Sequence, residues 1–312
     1  MRSTSAAEVA MPSPWHAGSA PLDRLTVCTQ NISWESNNAR LESDGKWHVH
    51  GPPARSSSSF DAARAAHNAA GNTAKSNVGP AYVETLAAVT RHKPEVLLLQ
   101  EYQVYDQSVS IIADAGYTVV AKTESDNAHR PHSPRIASIV AVRSDRLDHA
   151  VAVEFHDTTK YGAFAPSGRC LAAAVVQFAE PRAATYLIVS SHSAHTLRDD
   201  ANTRQPWDSA QVQAYLDMFQ AQLPTAPSSL VWGGDFNAAI NADHTHWKGP
   251  HSLEMLPASA VGVTTRDGHK IDHILATSFS GKPPTDLVNE PGTSDHNLVQ
   301  VRLRSAFADL AI

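Results

Sequence analysis

Short apolar stretches, each followed directly by polar residues, recur along the chain and predict a protein rich in buried strands. Strands of this kind are predicted at 25–30, 96–99, 136–142, 171–178, 186–189, 230–232 and 298–303. In the last of these stretches apolar and polar residues alternate, which is typical of a strand with one face in the core. The pattern therefore indicates a fold built mainly on sheets.

Two segments have the spacing of amphipathic helices instead. Pro80 begins the first, since proline is favoured in the first helical turn. The second covers 208–222, where Asp208 and Gln211 form the sequence signature of a capping box. The apolar stripes of the two helices are Tyr82, Leu86 and Val89, and Val212, Tyr215, Phe219 and Leu223.

Polar residues with catalytic potential lie at or just beyond the ends of predicted strands. They are Asn31, Glu101, His192, Asp235, Asn237, Asp272, Asp295 and His296. In α/β folds ligands gather at strand ends, because loops there supply polar groups without breaking the sheet. Several such ends, offering amide, carboxylate and imidazole groups, indicate one shared site.

The segment 233–237, with the sequence Gly-Gly-Asp-Phe-Asn, is the most informative of these ends. Residues i and i+2 of an extended chain point the same way, so Asp235 and Asn237 are expected to converge on one ligand. The two glycines allow a tight turn and a close approach of substrate to the backbone. A carboxylate that orients water, beside an amide that donates to a developing oxyanion, suits hydrolysis of a phosphate ester.

The ordered set of motifs resembles that of the endonuclease/exonuclease/phosphatase superfamily. The matching motifs are Asn31, Gln100-Glu101, His192, Gly234-Asp235-Phe236-Asn237, Asp272 and Ser294-Asp295-His296. The resemblance extends over residues 24–304, almost the whole chain. It implies an α/β fold, a four-layer α/β/β/α sandwich with two packed mixed β-sheets. It also implies metal-dependent cleavage of phosphoesters.

The resemblance implies a role for each residue. The metal ligands would be Asn31, Glu101 and Asp295, with Glu101 as the direct ligand. These hard oxygen donors suit Mg²⁺, for which Mn²⁺ can substitute. Asp235 would position the attacking water, and His296, held in one tautomer by Asp272, would take or relay a proton. Donors to the substrate phosphate would be Arg169, His192 and Asn237.

One departure from the deoxyribonuclease branch bears on the substrate. Relatives of that branch pair the equivalent of His192 with a glutamate on a neighbouring strand, whereas the matching stretch here, 132–138, contains no acidic residue. Either another group orients His192, or His192 acts only as a phosphate donor. Three functions stay open: a phosphodiesterase or nuclease, a phosphomonoesterase acting on a small metabolite or lipid headgroup, and a binding protein without catalysis. The last is the least expected, because no motif residue is missing.

Composition and charge limit the partners. The net charge of −6 argues against a large basic surface for nucleic acid, although nucleic acid stays among the candidate phosphate-ester substrates. No apolar run is long enough to span a bilayer. The N-terminal residues 1–21 lack the apolar stretch of a secretory signal, so a disordered tail and a cytoplasmic location are expected. A monomer is expected as well. Cys28 and Cys170 lie in apolar runs and are expected to be buried.

The remaining residues, 22–312, are predicted to form a single catalytic domain with a large insertion at 33–78. The insertion contains Trp34, Trp47 and an alanine-rich helix candidate at 61–70. It begins directly after Asn31, so a lid over the metal pocket is one interpretation. A tolerated surface insertion is the other, since the entropy of loop closure grows slowly with length.

Overall fold

A computed structural model describes the parts of the chain that carry regular structure. The described residues are 24–32, 39–41, 47–49, 80–104, 106–124, 136–155, 171–179, 185–193, 207–223, 227, 229–241, 245–247, 253–257, 264–265, 269–277, 288–290, 294 and 296–304. The strands are β1 (Arg24–Asn31), β2 (Ala39–Leu41), β3 (Trp47–Val49), β4 (Val96–Gln103), β5 (Tyr117–Glu124), β6 (Ile136–Arg143), β7 (Leu147–Val153), β8 (Leu171–Phe178), β9 (Thr185–His192), β10 (Trp207–Asp208), β11 (Ser229–Asp235), β12 (Ile240–Asn241), β13 (Thr245–Trp247), β14 (Leu253–Pro257), β15 (Asp272–Thr277), β16 (Val288–Glu290) and β17 (Leu298–Arg304). The helices are α1 (Pro80–Arg91), α2 (Asp106–Asp114) and α3 (Ser209–Gln222), with a 3-10 turn at Ser144–Arg146.

Two large sheets contain most of these strands. The first has six strands in the order β16-β17-β1-β4-β6-β5, and the second has seven in the order β13-β14-β15-β11-β9-β8-β7. Both sheets are mixed, because β1 with β4 and β9 with β11 are parallel pairs among antiparallel neighbours. Parallel pairs require crossover connections. Helix α1 lies in the connection from β1 to β4, and α3 lies in that from β9 to β11.

The two sheets pack face to face, and helices cover their outer faces. The core between the sheets includes Leu25, Val27, Leu98 and Val140 of the first sheet and Ala174, Val176, Ile188 and Val231 of the second. Helices α1 and α2 pack on the outer face of the first sheet, and α3 packs on that of the second. The predicted four-layer α/β/β/α sandwich is therefore confirmed, with an apolar interface between each pair of layers.

The predictions of helices beginning at Pro80 and covering 208–222 are confirmed as well. Helix α1 buries Tyr82, Leu86 and Val89 completely. In α3 the capping box is complete, since Gln211 N donates to Asp208 Oδ1 at 2.8 Å and Asp208 N donates to Gln211 Oε1 at 3.0 Å. An N-cap of this kind stabilises a helix by about 1 kcal/mol.

Gly233 and Gly234 serve close packing of strands instead of the tight turn that their sequence allows. Both residues lie inside β11. A Cβ on Gly233 would come within 2.7 Å of Leu98 Cδ1 in the opposite sheet, and one on Gly234 would overlap the carbonyl oxygen of Ser191 in β9. Gly234 also has φ of 151°, which L-residues rarely adopt. The absence of side chains therefore lets neighbouring backbone and the other sheet approach β11.

Some predictions concern residues outside the described part of the chain. These are Arg169, Asp295, Cys170, the tail 1–21, the helix candidate at 61–70 and most of the insertion 33–78. Within that insertion the structure describes the antiparallel pair β2 and β3, and β2 lies against α1. Cys28 is buried, as predicted. The domain boundaries, the monomer and the cytoplasmic location stay predictions.

Among the described helices, none has the length and apolar composition needed to cross a membrane.

Candidate active site

Asp235 lies where the ends of both sheets meet. In the second sheet it pairs with His192 at the end of β9 and with Asp272 at the start of β15. Because β15 runs antiparallel to β11, its first residue lies at the same edge as the last residue of β11. From the first sheet, Asn31 Nδ2 donates to Asp235 Oδ2 at 3.1 Å. The edge where polar residues were predicted to gather is thus formed by both sheets.

The carboxylate of Asp235 is held on one side and faces two imidazoles on the other. Its Oδ1 accepts from Asn237 N at 2.8 Å. Its Oδ2, which accepts from Asn31, lies 3.4 Å from His192 Nε2 and 3.8 Å from His296 Nε2. Asp235 is only 1% exposed. A buried carboxylate oxygen therefore lies between two imidazole nitrogens, a suitable place to hold a water molecule or a phosphoryl oxygen.

His296 is oriented by Asp272. The two oxygens of the Asp272 carboxylate lie 3.1 and 3.0 Å from His296 Nδ1. A neutral ring therefore carries its proton on Nδ1 and presents the Nε2 lone pair toward Asp235. Complete burial raises the pKa of the Asp272 carboxyl, and contact with His296 opposes that rise. Thr264 Oγ1 accepts from Asp272 N at 3.1 Å and fixes the start of β15.

The backbone around His296 is tied to the end of β1. Ser294 Oγ donates to Asn31 O at 2.7 Å and accepts from His296 N at 3.1 Å. Gln30 Nε2 donates to His296 O at 3.0 Å. Sequence reasoning did not single out Gln30 or Thr264 for the site. The available signal for Gln30 was a polar residue at the end of an apolar run, directly before Asn31. Thr264 belongs to no motif.

Glu101 occupies a bulge in β4. The register between β4 and β6 shifts between Leu99 and Tyr102, and Glu101 has φ of 52°. The left-handed region costs a non-glycine residue about 1–2 kcal/mol, and such conformations concentrate at functional sites. The bulge turns the side chain toward the second sheet, where Glu101 Oε1 lies 3.8 Å from His192 Nε2. The acidic neighbours of His192 are thus Asp235 and Glu101.

Asn237 reaches the site through a turn, so the predicted convergence of Asp235 and Asn237 along an extended strand is wrong. Strand β11 ends at Asp235, and Asn237 has φ of 54°. The chain turns because the Asp235 carboxylate accepts a hydrogen bond from the backbone N–H of Asn237. Asn237 Nδ2 then donates to Ser193 O at 2.7 Å, next to His192. An amide nitrogen carries two hydrogens, so a second one remains for a ligand.

The donors at this edge fit a hard divalent cation. Glu101 supplies a carboxylate with 14% of its side chain exposed, and Asn31 supplies an amide group whose Nδ2 donates to Asp235. Ligand atoms of Asp235, Asp272 and His296 also lie within 4.8 Å of one another. That trio is more deeply buried, and both Asp272 oxygens face the His296 ring. Mg²⁺ keeps several waters, so the more exposed Glu101 side suits it better.

The structure brings most of the predicted site residues together at one edge. Those within the described residues are Asn31, Glu101, His192, Asp235, Asn237, Asp272 and His296. Arg169 and Asp295 lie outside them. The individual roles stay predictions, but the seven residues that the structure describes lie at one edge of the paired sheets.

Comparison with known proteins agrees with the two-sheet fold. The sequence profile described as "Endonuclease/Exonuclease/phosphatase family" matches residues 65–296, well over half of the chain. No curated protein matches the chain in sequence.

Three solved structures are similar in fold. The first is ANGEL2, described as a 2′,3′-cyclic phosphatase, with a TM-score of 0.50, 12% identity and coverage of 91% of this chain and 95% of that one. The second is an endonuclease/exonuclease/phosphatase protein from Beutenbergia cavernae, with a TM-score of 0.48, 16% identity and coverage of 91% and 72%. TDP2 from C. elegans has a TM-score of 0.43, 12% identity and coverage of 90% and 75%.

The likeness to ANGEL2 supports the fold alone, because so low an identity says nothing about the substrate. The family assignment rests on the sequence profile, whose matched span begins before α1 and ends at His296. The paired sheets are what that family predicts. The chain belongs to the endonuclease/exonuclease/phosphatase family, whose members hydrolyse phosphoesters.

Proposed function

We propose that this protein is a metal-dependent hydrolase that cleaves phosphodiester bonds by attack of water on phosphorus. The observation that carries the proposal is the surroundings of one atom, Asp235 Oδ2. It lies 3.4 Å from His192 Nε2 and 3.8 Å from His296 Nε2. A general base with two imidazoles facing it suits a reaction in which a proton leaves water while charge grows on phosphoryl oxygens.

In this mechanism Asp235 accepts the proton of the attacking water. Its Oδ1 accepts from Asn237 N at 2.8 Å, and Oδ2, which accepts from Asn31 Nδ2 and lies nearest the two imidazoles, is the oxygen that meets the water. His192 Nε2 and the second hydrogen of Asn237 Nδ2 face the phosphoryl oxygens, with Arg169 as a further donor. His296, whose Nδ1 is engaged by Asp272, relays a proton at Nε2.

Glu101 and Asn31 would hold the divalent cation, and Asp295 would complete the set. When bound, the cation polarises a phosphoryl oxygen and offsets the negative charge of the transition state. Mg²⁺ is the proposed ion, with Mn²⁺ as a substitute, because the donors are hard oxygens. The exposed fraction of the Glu101 side chain, 14%, leaves room for retained water ligands.

A diester is favoured over a monoester by the charge of the site. Glu101, Asp235 and Asp272 are all acidic, and the described Lys or Arg residue nearest to them along the chain is the exposed Lys270, two residues before Asp272. A phosphomonoester dianion would meet more repulsion there than a diester monoanion. Within the diester class, DNA and RNA are both candidate substrates.

The test is an activity panel on the purified protein with Mg²⁺. The panel compares plasmid DNA, RNA, bis(p-nitrophenyl) phosphate and p-nitrophenyl phosphate, with Asp235→Asn as the inactive variant. Asp217→Asn is the matched control, since Asp217 is an exposed carboxylate on α3 that accepts from Gln213. We expect hydrolysis of at least one diester, lost in Asp235→Asn and kept in Asp217→Asn. Exclusive hydrolysis of the monoester would contradict the proposal.

A further inference from the structure

The peptide group between Phe236 and Asn237 is hydrogen-bonded at both ends. Its N–H donates to Asp235 Oδ1 at 2.8 Å, and its carbonyl oxygen accepts from Trp207 Nε1 at 3.2 Å. A peptide group is planar and rigid, so fixing both its oxygen and its hydrogen fixes the plane. The orientation of that plane in turn determines which way the captured Asp235 carboxylate points.

The rest of the turn is held just as firmly. Phe236 N donates to Ile271 O at 2.9 Å, and Trp207 N donates to Ala239 O at 2.7 Å. The ring nitrogen His273 Nε2 lies 3.2 Å from Ala238 O. These bonds keep the turn from relaxing out of the left-handed conformation at Asn237, whose φ is 54°.

Trp207 is itself immobilised in an aromatic cluster. It is completely buried, and its ring lies 5.3 Å from Tyr215, 5.3 Å from Phe236 and 5.9 Å from Trp232. These tilted and edge-to-face contacts leave the indole little freedom. Its N–H is therefore a donor at a fixed point in space, which is what positioning of a catalytic group requires.

We propose that Trp207 is a positioning residue for the catalytic carboxylate. Its indole N–H fixes the peptide group between Phe236 and Asn237, and that peptide group orients Asp235 so that Oδ2 faces His192 and His296. For its effect on the reaction this inference rests on the proposed function. The hydrogen-bonded link from Trp207 to Asp235 rests on the geometry alone.

The principal test compares Trp207→Phe with Trp232→Phe. Both residues are fully buried in the same cluster, and both changes remove an indole and its donor. The ring of Trp232 also lies against Phe236, at 5.0 Å, but its Nε1 donates to Ser191 Oγ at 2.9 Å and not to the turn, so it is the matched control for lost ring contacts. We expect Trp207→Phe to lower kcat about 10- to 100-fold with little change in KM, because displacement of the base slows the chemical step more than it weakens substrate binding. Trp232→Phe should stay within about three-fold of wild type by the same reasoning.

A double-mutant cycle separates positioning from general destabilisation. In an Asp235→Ala background there is no carboxylate to orient, so Trp207→Phe should change the residual kcat by less than about two-fold. An equal loss in both backgrounds, or an equal loss in the two tryptophan variants, would overturn the proposal.

Hydrogen exchange followed by NMR tests the link without any turnover. The Asn237 amide should be protected in the wild type and in Trp232→Phe, and should exchange at least about ten-fold faster in Trp207→Phe. An unprotected Asn237 amide in the folded wild type would refute the link even if Trp207→Phe failed to fold. If the wild type cleaves no phosphoester, the proposed function fails while the exchange rates still decide the role of Trp207.

Discussion

Replacing His273 by glutamine should make the protein markedly more resistant to acid. His273 follows Asp272 in β15 and is 2% exposed. Its ring packs edge-to-face on that of Phe236, with 5.7 Å between the ring centroids. Burial lowers the pKa of its ring from 6.5 to about 4. The folded protein therefore keeps this histidine neutral over a pH range in which the unfolded chain protonates it.

The sign and size follow from proton linkage. As the pH falls from about 6.5 to about 4, the unfolded chain binds a proton that the folded protein does not, so the free energy of unfolding decreases. At pH 4 this one group accounts for a loss of about 3 kcal/mol relative to pH 7, and above pH 6.5 its contribution is nearly constant. Glutamine keeps a donor for Ala238 O but does not titrate.

The assay is denaturant unfolding at pH 7 and at pH 4. The decrease in free energy of unfolding between the two pH values should be about 3 kcal/mol smaller in His273→Gln than in the wild type. His149→Gln is the matched control, because it makes the same replacement at an exposed histidine on β7. An equal decrease in His273→Gln and wild type would refute the reasoning about burial.

Four further predictions concern the site and the strands that form it. Asp235→Asn and His296→Ala should each lower kcat roughly 10²- to 10⁴-fold, and the double variant should lose less than the sum, since both groups serve one transition state; circular dichroism checks the fold, and near-normal turnover in either variant would reject the mechanism. Chelator should abolish activity, Mg²⁺ or Mn²⁺ should restore it, and Glu101→Gln, unlike Glu84→Gln on the exposed side of α1, should raise the metal concentration for half activity; full activity in excess chelator would exclude the assignment. Gly234→Ala should destabilise the protein by about 2 kcal/mol more than Gly116→Ala in thermal unfolding, because both residues have positive φ but only Gly234 faces a carbonyl oxygen; equal losses would contradict the packing argument. Replacing 41–75 by a Gly/Ser linker should preserve hydrolysis of a small activated ester and change the ranking of larger substrates, as expected for a lid; an unchanged ranking in a folded variant would make the segment a plain surface insertion.

The elements that the sequence predicts well are those whose signals are local. The capping box of α3 needs only Asp208 and Gln211, three residues apart, and both of its bonds are present. The polar residues at strand ends were likewise readable, because each follows its own apolar run. Their gathering at one edge follows from the general behaviour of α/β folds and from the family resemblance, not from any single motif.

The elements that the sequence does not predict depend on partners far away in the chain. Gln30 contacts His296, 266 residues away, and no spacing rule connects them. The bulge at Glu101 is set by its register against β6. The turn at Asn237 had a local signal, since the side chain of an Asp often accepts from the backbone N–H two residues later. The strand prediction was nevertheless extended through Asn237. Strand periodicity describes the interior of a strand, and these residues lie where a strand stops.

A buried hydrogen bond between the two sheets holds the two sides of the site at a fixed separation. Gln100 Nε2 donates to Ser190 Oγ at 3.0 Å, and both side chains are fully buried. Gln100 directly precedes Glu101, and Ser190 lies two residues before His192, so the bond joins the sheets directly behind the site. An unmade hydrogen bond at this depth would cost about 1–3 kcal/mol, which strongly favours one spacing of the sheets. The separation between the Glu101 side and the Asp235 side is therefore set inside the sandwich. A predicted insertion that begins next to Ile32, at the end of β1, would then alter which substrates enter without moving the groups proposed to cleave the bond.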